Sequence, residues 1–474
     1  MSRSRHLRGA VVVVLLGVTV LLGALVIGCA KKPAPERTLW WFTWSPAEEY
    51  AWNQQLATEF EKGHPGIKVK LTNDPSQQAM QGLQTKLAAG TAPDVMSIHG
   101  AYFVPFAAAG QLMDITGRAE GDEKLQLEDF YPGLIELCRV DGRLYSLPRY
   151  ASVYALFYNK TLFDRAGVTY PGKGGSWTWT DFRNTAKALT KDTNGDKVTD
   201  QWGCAIDFWG ARIYPWVWQN GGEVISADKK RSMLSSPETR GALQFLLDLK
   251  MKDHVTPASV EDERRGSREL FKMGRVAMYM SGPWDVQEFE RMPDLVWEVA
   301  PLPEGTQKAW VLGGENYNNT SLLAASRPSK QKASLLGTEN YAISAKTKLP
   351  DEAWALLTFL LSPDVEKRTA EKTGKMPPRR SVAEGPFLAE KVPYDRKVFV
   401  EAINYGRMPP NIPGWNEVVE SLQRALDGIW GGKATVKEAT AKADAEIGRV
   451  LAEWQSKKPG GGGDSGAAGG RESD

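Results

Sequence analysis

The longest apolar run, Ala10–Ile27, carries no charge and stands apart from the rest of the chain, where apolar residues come in short groups. Thr38-Leu39-Trp40-Trp41-Phe42-Thr43-Trp44 is an apolar, aromatic run that predicts a buried strand of a parallel sheet. Ser45-Pro46 then opens a helix through about Phe60, with proline at an early helical position, and Gly63-His64-Pro65-Gly66 ends it. Ile67–Leu71 alternates and predicts a second strand. Gln77–Ala89 places Met80, Leu83 and Leu87 on one helical face before Gly90, and Asp94–Ile98 is a third strand. This β-α-β-α-β order predicts an α/β lobe with right-handed crossovers. Asp141-Gly142 marks a hairpin turn, and Val153–Tyr158 reads as one strand opening a second α/β region that runs to about Pro301. Leu356–Leu361 and Val418–Ile429 are helical segments of the last third, and the glycine-rich tail from Gly460 predicts disorder.

The first apolar run follows Arg3, Arg5, His6 and Arg8 and ends in Val26-Ile27-Gly28-Cys29. That ending resembles the lipobox of bacterial lipoproteins, which implies cleavage after residue 28 and a lipid on Cys29. The alternative is an uncleaved membrane span, since the run is near the lower length limit for crossing a bilayer. Lys31 and Lys32 lie on the side that would be translocated, where basic residues are disfavoured beside a true span, and this favours cleavage. Residues 29–36 then form a tether.

Processing changes the charge balance. The full chain has 59 basic and 57 acidic residues, and residues 1–28 hold three of the arginines. The mature chain is therefore nearly neutral and lacks the basic excess that nucleic-acid binding calls for. Of three cysteines, Cys138 and Cys204 remain after lipidation of Cys29. They could pair in an oxidising compartment, but both lie in apolar settings that suit buried free thiols. The 17 tryptophans fill a core and also suit sugar rings, whose C–H faces are apolar and whose edges are hydroxyls.

Several segments, in order, resemble one family. They are Gly142–Pro148 with Leu156–Lys160, Trp218–Gly222, Met278–Trp284, Tyr341–Ser344, Pro350–Trp354 with Phe359-Leu360, and Gly374–Arg379. Together they resemble the extracellular solute-binding proteins of sugar ABC importers, the maltose-binding-like family, across about residues 38–455. The resemblance implies an α/β, two-lobed periplasmic-binding-protein fold (type II-like) whose hinge is crossed more than once. Lobe one would be 37–148 plus 303–383, lobe two 149–302 plus 384–456, and 457–474 a disordered tail. It implies a monomer that binds a sugar or oligosaccharide between the lobes and delivers it to an ABC permease, with no cofactor and no catalysis. About thirty residues after Pro303 depart from the family pattern and contain Val311–Tyr317, a near copy of Leu335–Tyr341.

Ligands of open α/β sheets bind outside the carboxyl ends of the strands. That rule singles out Trp44 after the first strand and His99 with Tyr102 after the third. Tyr150 and Ser152 lie at the predicted hinge crossing, and Trp209 precedes a Pro215–Gly222 helical segment. Trp284, in Gly-Pro-Trp, matches a stacking residue of the family, and Trp415 is a further stacking candidate. Gly337, Thr338 and Glu339 precede the Ala-Ile-Ser strand, and Arg379 could donate to hydroxyls or form a surface ion pair. Asp192, Asn194, Asp196, Val198 and Asp200 supply oxygens at alternate positions, as in a calcium loop. Lys197 stands where such a loop wants glycine, and an Asx-rich turn is the competing reading of this candidate structural calcium site.

Two rivals remain. A glycosidase would need two carboxylates flanking the scissile bond, and 57 acidic residues are available to supply them. No GxSxG, HExxH or Walker A pattern occurs, and four histidines leave little material for a metal site or triad. A binder of glycerol-phosphate or another polar solute in the same fold would need converging cations, whereas the aromatic candidates favour an uncharged sugar.

Overall fold

The computed structural model describes residues 36–76, 78–173, 175–208, 210–257, 260–305, 331–389, 394–410, 412 and 414–456. Cys29, Trp209, the first copy of the repeated heptamer and the glycine-rich tail lie outside these residues.

The first sheet begins with β1 (Arg37–Thr43), α1 (Ala47–Gly63), β2 (Ile67–Asn73), α2 (Ala79–Ala89) and β3 (Val95–His99). β1 pairs in parallel with both β2 and β3, so the two helices serve as crossovers. The aromatic run forms β1 because its side chains are covered on both faces: Leu39 and Trp41 pack toward α1, and Phe42 toward α2. Gly90 ends α2 at φ 70°, a conformation glycine adopts without cost. α3 (Gly100–Ala108) follows β3 directly. The Asp-Gly hairpin joins β4 (Arg139–Val140) to β5 (Arg143–Leu144), with Asp141 at φ 47° and Gly142 at φ 80°, the two left-handed residues that a type I′ turn requires.

The strand expected over 153–158 is two strands. β6 (Ser146–Val153) belongs to the first sheet, β7 (Ala155–Asn159) is the centre of the second, and Tyr154 lies between them. The Ser334 hydroxyl accepts from Tyr154 N–H and donates to Tyr154 C=O, each at 2.9 Å. Both backbone groups are thus satisfied where the ladder breaks.

The second lobe contains α4 (Trp179–Leu189), α5 (Pro237–Met251), β8 (Met278–Ser281), α6 (Val286–Glu290) and β9 (Trp297–Ala300). Its sheet has the order β8-β7-β9, antiparallel throughout. The chain then returns in β10 (Ser334–Ile343), which runs antiparallel to β3 on one edge and to β6 on the other. α7 (Pro350–Leu360) and α8 (Pro363–Thr373) cover the first lobe. α9 (Lys397–Tyr405) and β11 (Gly406–Arg407) come next, and β11 pairs with the start of β10. α10 (Trp415–Trp430) and α11 (Val436–Ser456) pack on the second lobe.

Each lobe has its own core. Leu39, Trp41, Leu56, Phe60, Ile343 and Leu357 belong to one; Phe163, Trp179, Trp216, Leu246, Leu426 and Ile447 belong to the other. A third cluster, with Val153, Phe157, Leu336, Met376 and Phe399, lies along the crossings between them. Cys138 and Cys204 are free and buried. Burial pushes the Cys138 thiol up to about 12, and it donates to Asn340 Oδ1 at 3.4 Å. Among the described residues no helix is long and apolar enough to cross a membrane.

Candidate functional site

The strand ends of the two sheets carry the candidate residues. In the first lobe β1 delivers Trp44 and β3 delivers His99. Their rings meet edge to face at 5.8 Å, and His99 meets Tyr102 at 6.3 Å, so the three aromatics form one group. His99 Nδ1 accepts from Ala101 N–H at 3.2 Å and so caps α3. In a neutral ring this leaves the proton on Nε2, available to donate. The residue is open to solvent at its edge but set among enough protein that desolvation holds its pKa below the ordinary histidine value, while Glu339 pulls it upward. Gly100 is required here because a Cβ would come within 2.6 Å of Thr338 C=O, where α3 lies against β10.

Beneath this group lies a set of charges that sequence reasoning did not find. Glu49, on the first turn of α1, is buried and accepts from Ser45 Oγ at 2.8 Å and Tyr150 OH at 3.3 Å. It pairs with Arg149, and with Lys375 Nζ at 2.7 Å. Burial pushes the Glu49 carboxyl up, but Arg149 and Lys375 outweigh burial and hold it at about 2. Arg149 also reaches Ser97 Oγ at 3.3 Å and lies over the rings of Tyr150 and Tyr341, at 4.5 and 5.1 Å. Tyr150 therefore serves the polar interior of the first lobe. Thr338 does likewise: it is buried and donates to Tyr150 C=O at 2.9 Å. Ser152 is half-buried and stands opposite Gly337 in the ladder.

In the second lobe β8 ends at Ser281, and Gly282-Pro283-Trp284 follows. Trp284 is 36% exposed and meets Tyr154 edge to face at 5.5 Å. Its turn is anchored by Asp285, which accepts from Ser281 Oγ at 2.5 Å and Tyr279 OH at 2.9 Å and pairs with Arg268. Gly282 lets the indole fold back, since a Cβ would come within 2.3 Å of the ring and 2.5 Å of Val153 C=O. Next to Tyr154, Arg212 donates to Met280 C=O at 2.7 Å and pairs with Asp207 at 2.7 Å. Its guanidinium is 5.7 Å from the Tyr154 ring.

Two sequence expectations are corrected, at Arg379 and at Trp415. Arg379 is 1% exposed inside the first lobe, donating to Leu361 and Leu125 carbonyls at 2.7 Å each, and it pairs with Asp129. It ties loops together and offers nothing to a ligand. Trp415 is buried in the second-lobe core with its ring 6.1 Å from Tyr214, so no face is open for stacking. The Asp192–Asp200 loop spends its oxygens on its own backbone: Asp192 accepts from Gly195 and Lys197 N–H at 2.6 and 2.7 Å, and Asp196 from Val198 N–H at 2.7 Å. Among the described residues no group of three or more His, Cys, Asp or Glu is placed to hold a metal, and these hydrogen bonds are those of an Asx-rich turn.

Residues 43–367 match the family described as bacterial extracellular solute-binding protein. The chain belongs to that family. A putative binding protein of Brucella abortus is 26% identical over 400 residues, covering 83% of this chain and 89% of that one. The galactooligosaccharide-binding protein of Bacillus subtilis is 25% identical over 428 residues, covering 87% and 90%. The crystal structures of the GacH receptor of Streptomyces glaucescens, unliganded and in complex with acarbose, superpose with a TM-score of 0.73 at 25% identity, covering 88% of this chain and 99% of that one. These likenesses agree with the two-lobed architecture and with the solute-binding role that the ordered motifs imply.

Proposed function

We propose that this solute-binding protein is the extracytoplasmic receptor of an ABC importer for a sugar or oligosaccharide. The observations that carry the reading are an exposed indole, Trp284, just past a strand end of the second lobe, and the Trp44, His99 and Tyr102 group at the strand ends of the first. Indole faces cover the C–H side of a sugar ring, while His99 and Glu339 offer one donor and one acceptor for its hydroxyls. Relatives named for galactooligosaccharide and solved with acarbose support the same class of ligand. Lobe closure about the hinge would enclose the sugar, and the closed monomer would be presented to the permease. Arg149 and Lys375, the cations that meet Glu339, are also held by Glu49, which disfavours a phosphate ligand.

Cys29 is read as the lipidated first residue of the mature chain, tethering the receptor to the outer face of a membrane through residues 30–36. Relatives named as a binding protein and as a receptor support a non-catalytic role.

Two experiments test the reading. Thermal unfolding with a panel of oligosaccharides should rise in midpoint with at least one of them and leave that sugar intact; cleaved product would sink the proposal. Expressed with Cys29→Ser, the protein should leave the membrane fraction, and retention there would instead support an uncleaved span.

A further inference from the structure

β10 and β6 pair in register from Leu336 to Glu339, then slip by one residue. Glu339 stands opposite Tyr150 and Asn340 opposite Pro148, so Arg149 is the extra residue of a β-bulge. A bulge re-aims the side chain it carries. Here it turns Arg149 toward two carboxylates from different elements, Glu49 and Glu339. On its other edge β10 sets Glu339 directly opposite His99, and directly opposed residues of an antiparallel pair share a face. Glu339, which Arg149 meets from the bulge, is therefore cross-strand neighbour to the histidine of the aromatic group.

The two carboxylates are not held alike. Glu49 takes the tight contacts, from Lys375 Nζ at 2.7 Å, from Ser45 Oγ at 2.8 Å and from Arg149. Glu339 meets Arg149 through one oxygen at 3.5 Å and Lys375 through the other at 3.6 Å. Those separations attract the charge but leave the oxygens short of full hydrogen bonds, and an ionised carboxylate has about four acceptor positions. The Glu339 side chain is 15% exposed and that of Glu49 is 3%. One carboxylate thus locks the two cations, and the other, partly open to solvent, keeps acceptor capacity.

We infer that Arg149 and Lys375 are positioning residues that hold Glu339 beside His99 as the hydroxyl acceptor of the first lobe, so that the site selects an uncharged polyol over an anionic solute. This rests on the proposed sugar-binding role. An anion would meet the negative charge of Glu339, whose oxygens are only loosely paired at 3.5 and 3.6 Å, while the nearby cations stay engaged with Glu49. A sugar hydroxyl donates to those oxygens without displacing a partner.

The test uses the mature chain with four probes: a galactooligosaccharide mixture, maltotriose, diacetylchitobiose and glycerol phosphate. Calorimetry should show the sugar that binds the wild type losing at least tenfold in affinity in Glu339→Gln, which keeps the shape and removes the charge. Lys375→Met should weaken binding in the wild type but not further in Glu339→Gln, and Lys375→Arg should recover most of it. A purely structural lysine would lower the melting temperature and leave that coupling at zero. A ligand-free readout runs beside it: the His99 ring, assigned by loss of its NMR signal in His99→Gln, should titrate at lower pH in Glu339→Gln than in the wild type. Wild-type binding to a sugar with unchanged affinity in Glu339→Gln overturns the inference and leaves the sugar-binding reading standing. Binding of glycerol phosphate and of no sugar overturns both, as does the absence of binding to every probe.

Discussion

Arg291 and Glu48 form a two-pronged ion pair that joins the lobes, Nη1 to Oε1 at 2.5 Å and Nη2 to Oε2. Glu48 opens α1, whose Trp52, Leu56 and Phe60 pack in the first lobe. Arg291 follows α6, whose Phe289 packs on Phe157 of the second sheet. A second contact runs beside it, from Gln287 Nε2 to Lys372 C=O at 3.0 Å. Both side chains of the ion pair are more than half exposed, so its contribution is about 0–1 kcal/mol and is screened by salt. Arg291→Ala should therefore speed ligand release by up to about fivefold at low ionic strength, with little change at high salt. Stopped-flow dissociation at two salt concentrations measures this. Lys68→Ala, which removes an exposed pair with Glu61 inside the first lobe, should leave the rate unchanged.

Trp284 and Gly282 act as a unit, because the indole lies where a side chain at 282 would be. Trp284→Ala should weaken sugar binding by at least about tenfold, or about 1.4 kcal/mol, through loss of aromatic area. Gly282→Ala should weaken it similarly with Trp284 still present, since the new methyl displaces the ring. Isothermal calorimetry measures both. Full affinity in Gly282→Ala would show that the ring position is immaterial to binding.

These two cases also show where sequence patterns inform and where they stop. The Asp141-Gly142 turn, the Gly90 cap and the β1 run are local, and residues within a few positions decide them. Trp284 was singled out by its family match, in a Gly-Pro-Trp segment that follows β8. Arg379 and Trp415 are local patterns whose meaning is set by distant partners: Leu125 closes over one and Tyr214 lies beside the other. The Glu49–Lys375 pair joins an early helix to a late loop, and an acid in a helix's first turn ordinarily reads as a solvated charge favoured by the helix dipole. The ladder slip at Arg149 left no mark in the alternation of β6, which is buried along nearly its whole length.

Glu49 makes stability depend on acid. Unfolded, its carboxyl titrates near 4.5; folded, it is held at about 2 by Arg149 and Lys375 against the cost of burial. The unfolded state binds the extra proton between those values. The contribution is thus fully present above about pH 4.5 and is lost as pH falls toward 2. Glu49→Gln should cost about 3–5 kcal/mol at pH 7 by leaving Arg149 without its closest charge. Denaturant unfolding should show the gap from wild type narrowing between pH 5 and pH 3.

Glu366 should behave in the opposite sense. It is 5% exposed, and neither carboxyl oxygen has a hydrogen-bond partner among the described residues. Arg379 Nε lies 3.3 Å away but is spent on Leu361 C=O at 2.7 Å. Burial therefore raises the Glu366 carboxyl well above its ordinary value, with Arg379 opposing only in part. Below the ordinary carboxylate range both folded and unfolded chains are protonated there, and no penalty exists. As pH rises the unfolded chain ionises and the folded chain does not, so wild-type stability falls. Glu366→Gln keeps the volume and removes the titration. It should be neutral near pH 4 and stabilising by about 0.5–2 kcal/mol at pH 7, the usual scale for relieving one unfavourable site. Paired denaturant melts at the two pH values decide it, and a loss of stability at pH 7 would mean that Glu366 is ionised and paired with Arg379.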